Sequence, residues 1–107
     1  MKRFGMAIKL KPGCAAMYRD YHANVWPEVL GKIRDCNIRN YSIYFKDDQL
    51  FSYFEYQGSD LKSDWAKMAD HPKTQEWWAV MKQLQEPLAT RQDGEWWAEM
   101  EEVFHLD

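Results

Sequence analysis

The periodicity of the chain predicts an α+β domain of split βαβ, ferredoxin-like topology, an antiparallel four-stranded sheet with helices on one face. Three observations carry this expectation. The chain opens on strict alternation of apolar and polar residues, two later regions switch to helical spacing, and a hairpin pattern lies between them. The resulting order is β-α-β-β-α-β. At 107 residues the chain reads as one domain, residues 1–107, and its 46% hydrophobic and 29% charged residues have the balance of a globular fold. No linker, internal repeat or low-complexity stretch interrupts it.

The first strand sets Phe4, Met6, Ile8 and Leu10 on one face and Arg3, Gly5, Ala7 and Lys9 on the other, and Pro12-Gly13 ends it. From Cys14 the spacing becomes four. Met17, Tyr21, Val25, Val29 and Ile33 form one series, and Tyr18, His22, Trp26 and Leu30 form another. Pro27 inside one continuous helix would cost ~3 kcal/mol and disfavour helical geometry at Trp26. Two helices are therefore expected, about 14–23 and 26–35, with Pro27 in the first turn of the second. Strands over residues 38–46 and 50–56 make a hairpin around Asp47-Asp48-Gln49. Gly58-Ser59-Asp60 caps a helix that carries Leu61, Trp65 and Met68. His71-Pro72 opens another helix, about 73–86, with Trp77, Trp78, Met81 and Leu84 on its apolar side and Pro87 as its stop. Residues 88–94 read as a loop and about 100–106 as the last strand. A small sheet with helices on one side leaves its other face bare, and a second copy covers it most simply, so a homodimer is expected.

Composition excludes several functional classes. No apolar run approaches the ~20 residues of a membrane span, and the mean hydropathy is −0.71, so no membrane partner is expected. Fourteen basic against 17 acidic side chains give a net charge of −3, with no Lys/Arg cluster, so no nucleic acid is expected either. Residues Met1 to Met6 lead into alternation rather than the apolar core of an export signal, and Cys14 and Cys36 read as reduced thiols. A cytoplasmic location follows. The three histidines lack metal-ligand spacing, the glycines are isolated, and there is no Gly-x-Ser-x-Gly. Neither a metal nor a cofactor is expected. Aromatic residues are abundant, with six Trp, six Tyr and five Phe making 16% of the chain. Each buried ring removes ~150–250 Å² from water, so a few complete a core of this size. The surplus suits a pocket for a ligand with apolar faces and polar edges, as sugars have.

Tyr18 and His22, four residues apart, overlie one another on a helix face. The break before Pro27 puts His22 in the last helical turn, where the helix dipole favours the imidazolium by ~0.3–1 kcal/mol. That would hold its pKa near or slightly above the ordinary histidine value, which suits proton transfer near neutrality. A plain cap on helix carbonyls is the competing reading. Trp77 and Trp78 point ~100° apart on a helix, so one can pack while the other faces a cavity. Trp96-Trp97 raises the same question near the last strand. Glu28 suits the first turn of a helix without any function, whereas Glu55 lies within a strand.

The run Tyr18-Arg19-Asp20-Tyr21-His22-Ala23-Asn24-Val25-Trp26-Pro27-Glu28 resembles the signature of the L-rhamnose mutarotase family, in which Tyr-x-x-x-His precedes Asn and Trp-Pro-Glu. The resemblance continues through Asn40-Tyr41-Ser42-Ile43-Tyr44, Trp77-Trp78 and Glu101-Glu102-Val103-Phe104-His105-Leu106, in order over nearly the whole chain. It implies a small cytosolic enzyme with a dimeric α/β-barrel fold and no cofactor, which interconverts the α and β anomers of L-rhamnose. By position it implies His22 as proton donor and Tyr18, Tyr41, Trp77 and Trp78 as the residues that bind the monosaccharide. Asp93-Gly94-Glu95-Trp96-Trp97 departs from the family's pattern, which leaves L-fucose or another 6-deoxysugar open as substrate. The same fold hosts cofactor-free monooxygenases and haem-degrading proteins, for which Asn24, Trp65 and His71 would matter more, and non-catalytic dimeric binding domains.

Overall fold

The computed structural model describes residues 1–107. In chain order the elements are β1 (Lys2–Leu10), α1 (Ala15–Ala23), α2 (Pro27–Asp35), β2 (Ile38–Lys46), β3 (Gln49–Tyr56), α3 (Leu61–Ala69), α4 (Pro72–Leu84), β4 (Gln85–Glu86) and β5 (Ala98–Met100). The sheet is antiparallel and ordered β2-β3-β1-β4, with β5 also paired to β1. The two short strands share one edge, since Lys9 and Leu10 pair with β4 while Gly5 to Ala7 pair with β5. The split βαβ, α+β architecture holds, with five strands instead of four.

Two element ends differ from expectation. The last helix stops at Leu84, because Gln85 turns extended at ψ 154° and pairs with Leu10. The final strand runs from Ala98 to Met100, and residues 101–107 continue outside the sheet. Their apolar members Val103, Phe104 and Leu106 are exposed and find nothing to pack on within one chain. The Arg3 guanidinium holds the start of this tail by a two-pronged contact with Glu102, at 2.9 and 3.0 Å.

Local chemistry explains the other boundaries. Trp26 is extended (φ −60°, ψ 131°), as a residue before proline must be, and Pro27 takes the first helical position of α2. Asp47 and Asp48 both have positive φ, 53° and 59°, the geometry of a two-residue hairpin turn whose twist matches the strands. A register shift between Arg39 and Ser42, with Asn40 at φ 50°, interrupts the alternation of β2. Ile38 pairs opposite Tyr56, and after the shift Ile43 and Phe45 pair opposite Ser52 and Leu50 on that same face. Without the bulge Tyr41 would point the other way.

The core lies between this face and the helices. Ile8, Leu10 and Leu50 meet Tyr18, Val29, Trp77, Met81 and Leu84. Beside them Cys36, Ile38, Phe54, Tyr56 and Met68 form a second cluster. On the opposite face Tyr44, Phe51 and Met100 stay exposed. No helix is long and apolar enough to cross a membrane.

Candidate active site

Helices and sheet do not close on one another completely. They leave a cleft of ≈ 940 Å³ lined by 32 residues, 21 of them hydrophobic, at the large end of the ~300–1,000 Å³ range of small-molecule sites. Tyr18 and His22 of α1, Tyr41 of β2, and Trp77 and Trp78 of α4 all line it. Three elements far apart in sequence thus bring these five side chains to one space.

The four-residue spacing on α1 stacks the Tyr18 and His22 rings at 4.2 Å and 24°. Trp77 turns an edge toward His22 at 5.4 Å and 69°. The Nδ1–H of His22 donates to the Tyr18 carbonyl at 2.9 Å. A carbonyl can only accept, so the neutral ring carries its proton on Nδ1 and keeps Nε2 as its free acceptor. Burial lowers the His22 pKa below the ordinary value, and the hydrogen bond to Tyr18 offsets this only in part. The helix-dipole expectation is therefore reversed. His22 does sit in the last turn of α1, but desolvation among aromatic rings outweighs its hydrogen bond to the helix carbonyl of Tyr18. The resting ring is neutral at pH 7.

Both phenols stay protonated. Burial raises Tyr18 well above the ordinary tyrosine range. Tyr41 as a residue is 40% exposed, yet desolvation around its hydroxyl pushes it up to about 12. Trp77 is 6% exposed and belongs to the core as much as to the cleft. Trp78 is half-buried and stacks on Trp65 at 6.0 Å, and Trp65 stacks on Phe54 at 6.1 Å, so one wall is a continuous aromatic surface. Trp96 and Trp97 pack partly against the core and line the same cleft.

Other candidates are placed elsewhere. His71 caps α4, its Nδ1 accepting from the Thr74 N–H at 3.3 Å and the Thr74 hydroxyl at 2.8 Å. Asn24 ends α1 outside the cleft lining, so of Asn24, Trp65 and His71 only Trp65 reaches the cleft. His105 contacts Asp107 on the exposed tail. Glu55 accepts from Asn40 and from the Tyr53 hydroxyl, each at 2.7 Å, and takes no part in the lining. One buried polar group had no signal in the sequence. Gln85, next to the end of α4, joins Tyr18 and Trp96 through its amide.

The family model for L-rhamnose mutarotase matches residues 3–106. The chain is similar to an L-rhamnose mutarotase of Oceanobacillus iheyensis, 31% identical over 109 residues with 100% of each chain covered. In fold it is similar to the crystal structure of an L-rhamnose mutarotase from Formosa agariphila, with a TM-score of 0.79, 22% identity and 100% of both chains covered. It also resembles a type-II polyketide cyclase from Streptomyces glaucescens, with a TM-score of 0.73, 19% identity and coverage of 100% and 98%. One backbone thus serves different chemistries, and the cleft side chains must carry the distinction.

Proposed function

Since this chain belongs to the L-rhamnose mutarotase family, we propose that it interconverts the α and β anomers of a 6-deoxyhexose, L-rhamnose foremost, in the cleft between its helices and sheet. The observation that carries this reading is His22. Its Nε2 is a free acceptor in a cleft that also holds two protonated phenols and flat aromatic walls.

Neutral His22 takes the proton of the anomeric hydroxyl at Nε2. As the C1–O5 bond breaks, O1 becomes the aldehyde oxygen and the imidazolium returns the proton to O5, so His22 is the proton donor to the ring oxygen. Rotation about C1–C2 presents the other carbonyl face, and the reverse steps close the second anomer. Proton and electron pairs balance on one residue because O1 and O5 share C1. The Tyr18 carbonyl, held by Nδ1–H, keeps the ring in place in both protonation states. Tyr18 and Tyr41 hydrogen-bond sugar hydroxyls, while Trp77 and Trp78 cover the C–H faces and the 6-methyl group and keep bulk water from the open-chain aldehyde. A positioned acid–base group contributes ~10²–10⁴-fold.

The active form is a homodimer in the cytoplasm. Support for the dimer comes from Tyr44, Phe51 and Met100, exposed on the face opposite the helices, and from the exposed apolar tail residues that follow Met100. A second copy buries both. Both cysteines are free, as in a reducing compartment. Freshly dissolved crystalline L-rhamnose relaxes toward its anomeric equilibrium with changing optical rotation, and catalytic amounts of the protein should speed that relaxation. Relaxation at the spontaneous rate for L-rhamnose, L-fucose and related 6-deoxysugars alike would contradict the reading.

A further inference from the structure

Gln85 is a polar side chain only 3% exposed, set in the cleft wall, and the mechanism above does not use it. It makes two hydrogen bonds. The Trp96 indole N–H donates to its Oε1 at 2.8 Å, and its Nε2 donates to the Tyr18 hydroxyl oxygen at 3.3 Å. An indole N–H can only donate, so Trp96 decides which end of the amide is oxygen. The amide nitrogen is then turned toward Tyr18, and the phenol oxygen must accept. A phenol has a single proton, and here that proton is released from Gln85 and left for another acceptor. Lys82, 5.3 Å above the Trp96 ring, helps to hold the indole that sets this chain of donors.

We propose that Trp96 and Gln85 are a positioning pair that sets the direction of the Tyr18 O–H, so that Tyr18 meets the sugar as a donor. This rests on the reading of Tyr18 as a sugar-binding residue. It gives a role to the segment around Trp96, where the sequence departs from the family's pattern.

Gln85→Glu is the informative substitution because it keeps the shape and, when ionised, replaces the amide donor with a charged acceptor. A carboxylate still accepts from Trp96 but offers Tyr18 an acceptor, so the phenol proton turns away from the sugar. The first readout needs no sugar. In protein labelled at tyrosine Cζ, with Tyr18 assigned from Tyr18→Phe, the Tyr18 Cζ resonance should move in Gln85→Glu while the Trp96 indole N–H stays hydrogen-bonded and protected from exchange. Gln85→Leu, which removes both hydrogen bonds, should move the Tyr18 resonance and open the indole N–H to exchange. The second readout is kinetic. Gln85→Glu should raise KM for L-rhamnose about three- to ten-fold, the loss of one neutral hydrogen bond, with a smaller change in kcat and no further change in a Tyr18→Phe background. An unmoved Tyr18 resonance would overturn the proposal, as would an equal penalty in both backgrounds. Wild-type protein that fails to exchange anomers would overturn the proposed function instead, and the sugar-free spectra would still decide the direction of the Tyr18 proton.

Discussion

At the scale of single residues, catalysis depends on which form of His22 waits for the sugar. Burial lowers its pKa below the ordinary 6.5, and the reaction begins with the neutral ring taking a proton. Activity therefore belongs to the deprotonated form. kcat/KM should rise with pH through a value below 6.5 and stay level above it. A profile that falls over the same range would make the imidazolium the resting form. The two helix tryptophans should separate by measurement. Trp77 is almost fully buried among Tyr21, His22 and Trp26, so Trp77→Ala should cost about 3–5 kcal/mol of folding stability, read from thermal or denaturant unfolding. Trp78 is only half-buried. Trp78→Ala should unfold less readily than Trp77→Ala but weaken sugar binding by ~1–3 kcal/mol if stacking on a sugar resembles stacking on a base, measured by fluorescence titration. Equal stability losses with unchanged sugar affinity would remove Trp78 from the site.

At the scale of elements, short polar networks decide how the helices meet the sheet. The Tyr56 hydroxyl and the Asn37 amide both donate to Asp64, which ties α3 to the ends of β2 and β3. These bonds, that from Tyr56 first, hold the Asp64 pKa below the ordinary carboxylate range. A carboxyl depressed in the folded state stabilises the fold above its unfolded pKa, and that contribution is lost as pH falls through the folded value. Asp64→Asn should therefore lower stability at neutral pH and flatten its decline in acid, visible in melting temperatures between neutral and acid buffers. An unchanged acid slope would place the linkage in other carboxylates. Helices were legible in the sequence at this scale because Pro27 and His71-Pro72 punctuate them. The hairpin was legible because Asp47-Asp48 suits a left-handed turn. β4 was not legible, since a two-residue strand has no period and exists only because Leu10 offers it a partner. The bulge at Asn40 likewise leaves little mark in sequence, although it is what turns Tyr41 toward the cleft.

At the scale of the whole molecule the site is a gap between layers, and sequence patterns do not describe gaps. Motif resemblance marked Tyr18, His22, Tyr41, Trp77 and Trp78, and the fold brings all five to one cleft. The direction of the His22 pKa was missed because burial among rings from two helices is a tertiary property. Gln85 was missed because an isolated glutamine near a helix end has no signature, and its partners lie 67 and 11 residues away. The bare outer face predicts a dimer in sedimentation at micromolar concentration, with Phe51→Asp shifting it toward monomer. A wild-type monomer would leave the fold intact and remove the partner. Anomer exchange through His22 can be read at equilibrium as saturation transfer between the α and β H1 signals of L-rhamnose. Wild-type protein should transfer saturation between the two signals, and His22→Asn, folded by circular dichroism, should lose about 10²–10⁴-fold of that catalysed exchange. No transfer with wild-type protein, or full transfer with His22→Asn, would contradict exchange through His22.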